Sequence, residues 1–105
     1  TAEVGTSLSI DAYVLDSLMR DLVGHDRRAS AFLVYLAVLA KESAGVRAMS
    51  YSELADQCGL SRRAVQDAVA HLVRRRLIEV IRAGPTETAS YRALRPWRRA
   101  RRSGE

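Results

Sequence analysis

Three side chains in the second half of the chain have chemistry suited to nucleic-acid surfaces. Arg62, Arg63 and Gln66 fall on one side of a predicted helix, because residues three and four apart share a helix face. A guanidinium forms paired hydrogen bonds with phosphate or with the edge of guanine, and a glutamine amide pairs best with adenine. Asp67, on the same exposed side, either orients a neighbouring arginine or accepts a hydrogen bond from a cytosine amine.

The sequence lacks the residue sets that catalysis or metal binding requires. No carboxylate pair, nucleophile–base set or phosphate-binding loop occurs at a usable spacing. Cys58 is the only cysteine, and with His25 and His71 it makes a poor metal site. We therefore expect no enzymatic activity, cofactor, metal or small-molecule ligand, and we expect His71 to be a surface residue or a phosphate contact.

Positive charge is concentrated in the second half of the 105-residue chain. Residues 1–26 carry a net charge of −4 and residues 27–61 carry +1. Residues 62–105 carry +8, because twelve arginines are set against four acidic residues. This asymmetry favours an oriented polyanionic partner, of which nucleic acid is the obvious one, although a solvated basic face is the alternative.

The longest apolar run, residues 31–40, is about half as long as a bilayer span, so we expect no membrane segment. The first residues carry no positive charge and no signal-peptide core. These features predict a cytoplasmic, nucleoid-associated protein. The length is sufficient for one domain with one core.

Helical periodicity predicts two helices in the first half of the chain. The first, about residues 11–23, has one apolar stripe, formed by Val14, Leu15, Leu18, Leu22 and Val23. That stripe packs on the same domain or joins two protomers. The second helix, about residues 31–43 with Ser30 as its N-cap, is apolar on nearly every side and should be the central helix.

The next segment predicts two helices joined by a tight turn. Ser50 and Glu53 form a capping-box pattern at the start of a helix over residues 51–58. Gly59 is the expected left-handed turn residue, and Ser61 caps a fourth helix over residues 62–75. Two short helices that cross at such a turn form a helix-turn-helix.

After this helix the spacing of apolar residues changes from a helical pattern to one typical of strands. Residues 77–81 are rich in β-branched side chains and residues 88–94 form a plausible returning strand, with turn-forming residues between them. The two strands predict a hairpin, followed by a basic tail over residues 96–105, which Trp97 anchors on the domain.

The stretches ELADQCGLSR (residues 53–62) and VQDAV (residues 65–69), followed by Leu72 and Leu77, resemble the winged helix-turn-helix of GntR-type bacterial transcription regulators. MarR-type regulators share the pattern. The resemblance covers roughly residues 30–94 and implies a mainly α fold with a small β-hairpin, a winged helix-turn-helix with an extra N-terminal helix. The predicted organisation is an N-terminal helix and loop at 1–29 that could serve for dimerisation, a winged helix-turn-helix DNA-binding domain at 30–95 and a basic tail at 96–105.

Carried over by position, the resemblance implies DNA-facing roles for eight residues: Ser52, Ser61, Arg62, Arg63, Gln66, Arg82, Gly84 and Thr86. Asp67 and Arg74 join them on chemical grounds, although a cation at a helix C-terminus is also favoured by the helix dipole. Two residues depart from the family pattern. Gln66 replaces a frequent arginine and predicts a preference for adenine, and Arg76 replaces the glycine usual before the wing strand.

The expected function is sequence-specific binding of double-stranded DNA by a small transcriptional regulator. The helix over residues 62–75 would enter the major groove, and the wing over residues 82–88 would lie on the adjacent groove or backbone. A homodimer is expected, because a two-fold protein doubles the number of base pairs read. The alternatives are a DNA-binding accessory factor in replication, partition or recombination, and a protein-interaction winged helix that does not bind DNA.

Overall fold

Helix α1, Ala29–Ser43, forms the centre of the fold, and its buried side chains cover more than half of its circumference. The computed structural model describes residues 7–46, 48–82 and 89–98. After α1 come four elements, α2 (Tyr51–Cys58), α3 (Arg62–Arg74), β1 (Ile78–Ile81) and β2 (Ser90–Ala93). The fold is therefore mainly helical with a small antiparallel hairpin, as the sequence predicts. Within the described ranges, no helix is long and apolar enough to cross a membrane.

The start of α1 differs from the prediction. Ser30 does not cap it; Arg28 occupies the N-cap position and no side chain completes the cap. The carbonyl of Arg28 accepts hydrogen bonds from the N–H groups of Ala31 and Phe32, at 3.0 and 3.4 Å. Arg27, with φ of 56°, turns the chain just before this point, so the helix begins two residues earlier than its serine suggests.

The N-terminal helix, residues 12–25, is wider than an α-helix over most of its length. The stretches Val14–Leu18 and Arg20–His25 are π-helical, with N–H groups bonded to carbonyls five residues earlier. Residues four apart then form columns along the helix. The column Val14, Leu18 and Leu22 is buried against the same core as α1.

The hairpin packs one of its faces on the helices. Ile78 pairs with Ala93 and Val80 with Tyr91 in the antiparallel register, and these four side chains point towards the core. A single bridge from Ala48 to Ser90 continues the sheet beyond β2. Strand β1 begins one residue later than predicted and β2 ends one residue earlier, which is usual for limits drawn from sequence.

Asp11 joins the two ends of the described chain. Its carboxylate accepts two hydrogen bonds from the Arg98 guanidinium, at 2.6 and 2.7 Å, and one from the Trp97 indole at 2.6 Å. The Trp97 ring stacks on Tyr13 with centroids 4.7 Å apart. Trp97 thus anchors the start of the tail, as predicted, and the hydrogen bonds from Arg98 and then Trp97 lower the pKa of Asp11 from 3.8 to about 2.

Asp11→Asn should lower the free energy of unfolding at pH 7 by roughly 1–2 kcal/mol, because the carboxylate is three-quarters buried and charge-paired. The folded pKa of Asp11 lies below its unfolded value. Its contribution is therefore complete above about pH 4 and is lost as the pH falls towards about 2.

Urea denaturation of wild type and variant between pH 7 and pH 3 measures this difference, which should shrink with falling pH. Asp56→Asn is the matched control. Asp56 is exposed and makes no ion pair with a described residue, so its change should be within about 0.5 kcal/mol. A difference for Asp11→Asn that did not depend on pH would contradict the assignment.

Candidate nucleic-acid interface

Two side-chain caps and one left-handed glycine determine where α2 begins and ends and where α3 begins. At the start of α2 the Ser50 hydroxyl accepts from the Glu53 N–H at 3.1 Å, and the Glu53 carboxylate accepts from the Ser50 N–H at 2.8 Å. Gly59 ends α2 in the left-handed conformation, with φ of 72°. Ser61 then caps α3 by accepting from the Ala64 N–H at 3.0 Å. These three predicted features are confirmed, and they set where α3 begins.

Helix α3 has two chemically distinct faces. Its buried face consists of Val65, Ala68, Val69 and Leu72, and it packs against α1 and α2. The predicted polar residues lie on the exposed part of the helix, where all are accessible: Arg62, Arg63, Gln66, Asp67 and Arg74. The first turn thus presents two guanidinium groups and an amide to solvent.

A hollow of about 230 Å³ gathers three of the predicted site residues. Ser52 at the start of α2, Arg62 at the start of α3 and Arg82 after β1 line it together. Tyr91 forms part of its wall, and burial raises the pKa of that tyrosine to about 12, so its hydroxyl stays neutral. Site residues up to thirty positions apart in the chain therefore form one basic concavity. Gly84 and Thr86, also predicted for this surface, lie outside the described residues.

Arg74 lies apart from this concavity. It is the last residue of α3, twelve positions beyond Arg62, or about 18 Å along the helix axis. Its side chain is exposed near the helix C-terminus, where the helix dipole favours a cation.

The arginines of α3 and of the segments after it differ in whether they pair with an acidic side chain. Arg75, Arg92, Arg95 and Arg98 each pair with a carboxylate of the fold. Arg63 lies 3.8 Å from Asp67, a weak exposed pair in the arrangement expected if Asp67 orients an arginine. In the described part of the chain, Arg62 and Arg74 have no acidic partner, so the exposed side of α3 keeps uncompensated positive charge.

His71 differs from expectation, because it is neither at the surface nor free to contact phosphate. Its side chain is 15% exposed, and its Nε2 lies 2.8 Å from the Asp26 carboxylate. Arg75 contacts the same carboxylate at 3.2 Å. Hydrogen bonds from His25 and His71 hold the pKa of Asp26 below its usual value. The cluster ties the C-terminal half of α3 to the loop before α1.

No local signal in the sequence identifies the His71–Asp26 contact, because 45 residues separate the two side chains. Among the described residues no group of histidine, cysteine and acidic side chains could hold a metal ion. Cys58 is half-buried and packs beside α1, and burial raises the pKa of its thiol.

Comparison with known proteins gives no relative: no family model, curated protein or solved structure matches the chain.

The two left-handed residues at the ends of α2 and α3 should respond oppositely to substitution. Arg76 follows α3 with φ of 60°, and a side chain in that region costs roughly 1–2 kcal/mol. Arg76→Gly should therefore raise the free energy of unfolding, by about 0.5–1 kcal/mol after the entropy of glycine is counted. Thermal and urea denaturation measure the change.

Gly59→Ala makes the reverse change, because it replaces a glycine with a side chain at a left-handed position. A Cβ at Gly59 would meet no atom within 4 Å, so only the left-handed conformation opposes alanine. We expect a loss of roughly 1–2 kcal/mol, and a smaller loss for Gly59→Asn, which tolerates that conformation better. A destabilised Arg76→Gly protein would show that the arginine side chain contributes packing that outweighs its strain.

Proposed function

We propose that this protein is a small transcriptional regulator that binds double-stranded DNA in a sequence-specific manner as a winged helix-turn-helix. In this assignment α2 and α3 form the helix-turn-helix, α3 is the recognition helix and the hairpin is the wing. The observation that carries the proposal is the exposure of Arg62, Arg63 and Gln66 on the first two turns of α3, while the other face of that helix is buried.

The dimensions and polarity of α3 suit a major groove. A single helix fits the groove, and its N-terminal residues are the ones that reach base edges in helix-turn-helix complexes. The positive end of the helix dipole lies at that same end and favours approach to phosphate. The Ser61 hydroxyl, which accepts from the Ala64 N–H, still has its own hydrogen to donate to a phosphate oxygen.

The basic concavity suits the DNA backbone beside the groove. Arg62 and Arg82 supply charge and Ser52 supplies a hydroxyl, from three different elements around one hollow. A phosphate held there would fix the register of α3 on the duplex without carrying sequence information. Arg82 is also the described residue nearest to the proposed wing tip, which would lie along the adjacent groove.

Base discrimination would come mainly from Gln66. It lies one turn after Arg62 on the same side of α3, and its amide can both accept and donate, as adenine requires in the major groove. Asp67 lies within weak pairing distance of Arg63, so it would hold that guanidinium in place rather than face phosphate itself.

Arg62→Ala/Arg63→Ala should weaken binding to duplex DNA by at least tenfold, because each lost contact to phosphate or base is worth roughly 1–3 kcal/mol. The slope of log K against log salt concentration should become shallower by about 1–2. Fluorescence anisotropy with labelled duplexes at several salt concentrations measures both quantities.

Arg28→Ala/Arg92→Ala is the matched control, since it removes the same charge from exposed positions outside α3, one before α1 and one on β2. Its salt slope should stay close to wild type. Equal losses in both double variants would indicate a general charge effect and contradict the assignment to α3. A wild-type protein that fails to bind duplex DNA even at low salt would favour a protein-docking role for the domain.

Gln66→Ala should relax base preference at one position of the selected site and leave the rest unchanged. On the preferred sequence the loss should be roughly 1–3 kcal/mol, and on non-specific DNA it should be close to zero. Selection from a randomised duplex pool with wild type and variant compares the two preferences. Ala70→Ser, a change at an exposed position one turn further along α3, is the control and should keep the wild-type site. An unchanged preference at every position for Gln66→Ala would remove glutamine from base reading.

A further inference from the structure

The N-terminal helix has an apolar column that the core does not use. Leu15, Met19 and Val23 are 48%, 39% and 40% exposed, although they lie next to the buried column that begins at Val14. Large apolar side chains that line up on one exposed stripe are typical of interaction surfaces. We propose that this column joins two copies of the chain in an antiparallel, two-fold helix pair.

The charged residues beside this column are placed so that they can form ion pairs with those of a second copy of the chain. Asp16 and Arg20 lie next to the column, one turn apart, and Asp16 has no ion pair with a described side chain. In an antiparallel pair with Met19 on the partner's Met19, Leu15 lies opposite the partner's Val23. Asp16 is then about two residues, or about 3 Å along the axis, from the partner's Arg20, a distance that an arginine side chain spans. The two-fold axis repeats this pair, so an isologous contact gains two ion pairs, against one repulsion between the two Arg20 side chains, which lie at the same axial separation.

Gly24 gives an independent reason to expect a closely approaching helix. It lies inside the π-helical stretch at a negative φ, where glycine weakens a helix relative to alanine. A Cβ at this position would meet no atom within 4 Å, so the protomer itself does not require glycine there. Gly24 continues the column of Asp16 and Arg20, and Ala12 begins it. Small residues at both ends let the two backbones approach, as an antiparallel pair requires.

The proposed DNA surface and the proposed pairing column lie at opposite ends of α3, so pairing would leave the DNA surface exposed. The N-terminal helix contacts the fold through α1, through the stack of Tyr13 on Trp97 and, at Asp21, through Arg75 near the C-terminus of α3. Arg62 and Gln66 lie at the other end of α3. The pairing surface does not depend on the proposed function, and its test needs no DNA.

Sedimentation velocity of the full chain without DNA tests the pairing. We expect a dimer at about 100 μM that dissociates in the micromolar range, because one helix pair lies at the small end of stable interfaces. Met19→Asp should weaken self-association at least tenfold. Ile81→Asp is the control, because Ile81 is a large apolar residue that is also exposed, at 49%, but lies on β1; this variant should dimerise as wild type does.

Charge-reversal variants distinguish the antiparallel helix pair from a dimer that is held together by apolar contacts alone. Asp16→Arg and Arg20→Asp should each weaken self-association, since each variant sets like charges against one another twice. An equimolar mixture of the two variants should form a heterodimer at least as stable as the wild-type dimer, because both pairs become attractive again. Circular dichroism confirms that each variant is folded. A wild-type monomer at about 100 μM, a dimer indifferent to Met19→Asp, or a mixture no more associated than its components would each overturn the proposal.

Discussion

Burial of one face of α3 against α1 is the constraint on which the rest of this structure depends. Val65 and Leu72 are completely buried in that contact, and they can be buried only if α3 keeps a single orientation about its axis. The opposite face must then point to solvent, because burying guanidinium groups without partners costs several kcal/mol. Exposure of Arg62 and Gln66 is thus a consequence of the core. The candidate interface and the hydrophobic core are two sides of one helix.

Acidic residues determine which arginines belong to the fold and which stay available. Asp11 and Asp26 each hold cations that are distant in sequence, and both carboxylates have lowered pKa values because they accept hydrogen bonds from those partners or from a neighbouring histidine. Glu42 similarly pairs with Arg95 at 2.9 Å, next to the Tyr35 hydroxyl, which donates to the Leu94 carbonyl at 2.8 Å. These contacts use positive charge to hold residues near the two ends of the described chain together and to fix the hairpin on α1. The positive charge that stays unpaired on α3 is therefore held in place by a fold that these ion pairs stabilise.

The N-terminal helix links the two proposals. Its π-helical register aligns residues four apart, so the buried column of Leu18 and the exposed column of Met19 run side by side over its length. The first column makes the helix part of the domain core rather than a detached arm. The second remains available for a partner. A helix that packs and pairs at the same time would hold two α3 helices in a fixed relation, which a two-fold DNA site requires.

The sequence by itself determined the features that depend on neighbours within about one helical turn. The Ser50–Glu53 capping box, the left-handed Gly59 and the Ser61 cap are all decided by residues three or four apart, and so is the division of α3 into two faces. The strands of the hairpin followed from a change in period. The exception among the local signals was Ser30, because the turn at Arg27 started α1 before that serine could cap it.

Only the tertiary structure decided the contacts between distant residues. The Asp11–Arg98 and Asp26–His71 pairs join residues 87 and 45 positions apart, and each requires the whole core to be in place before the two groups meet. The same holds for the basic concavity, where Ser52 of α2, Arg62 of α3 and Arg82 after β1 come together. Local patterns specify which face of a helix is polar, but the packing of helices against one another specifies which polar groups become neighbours.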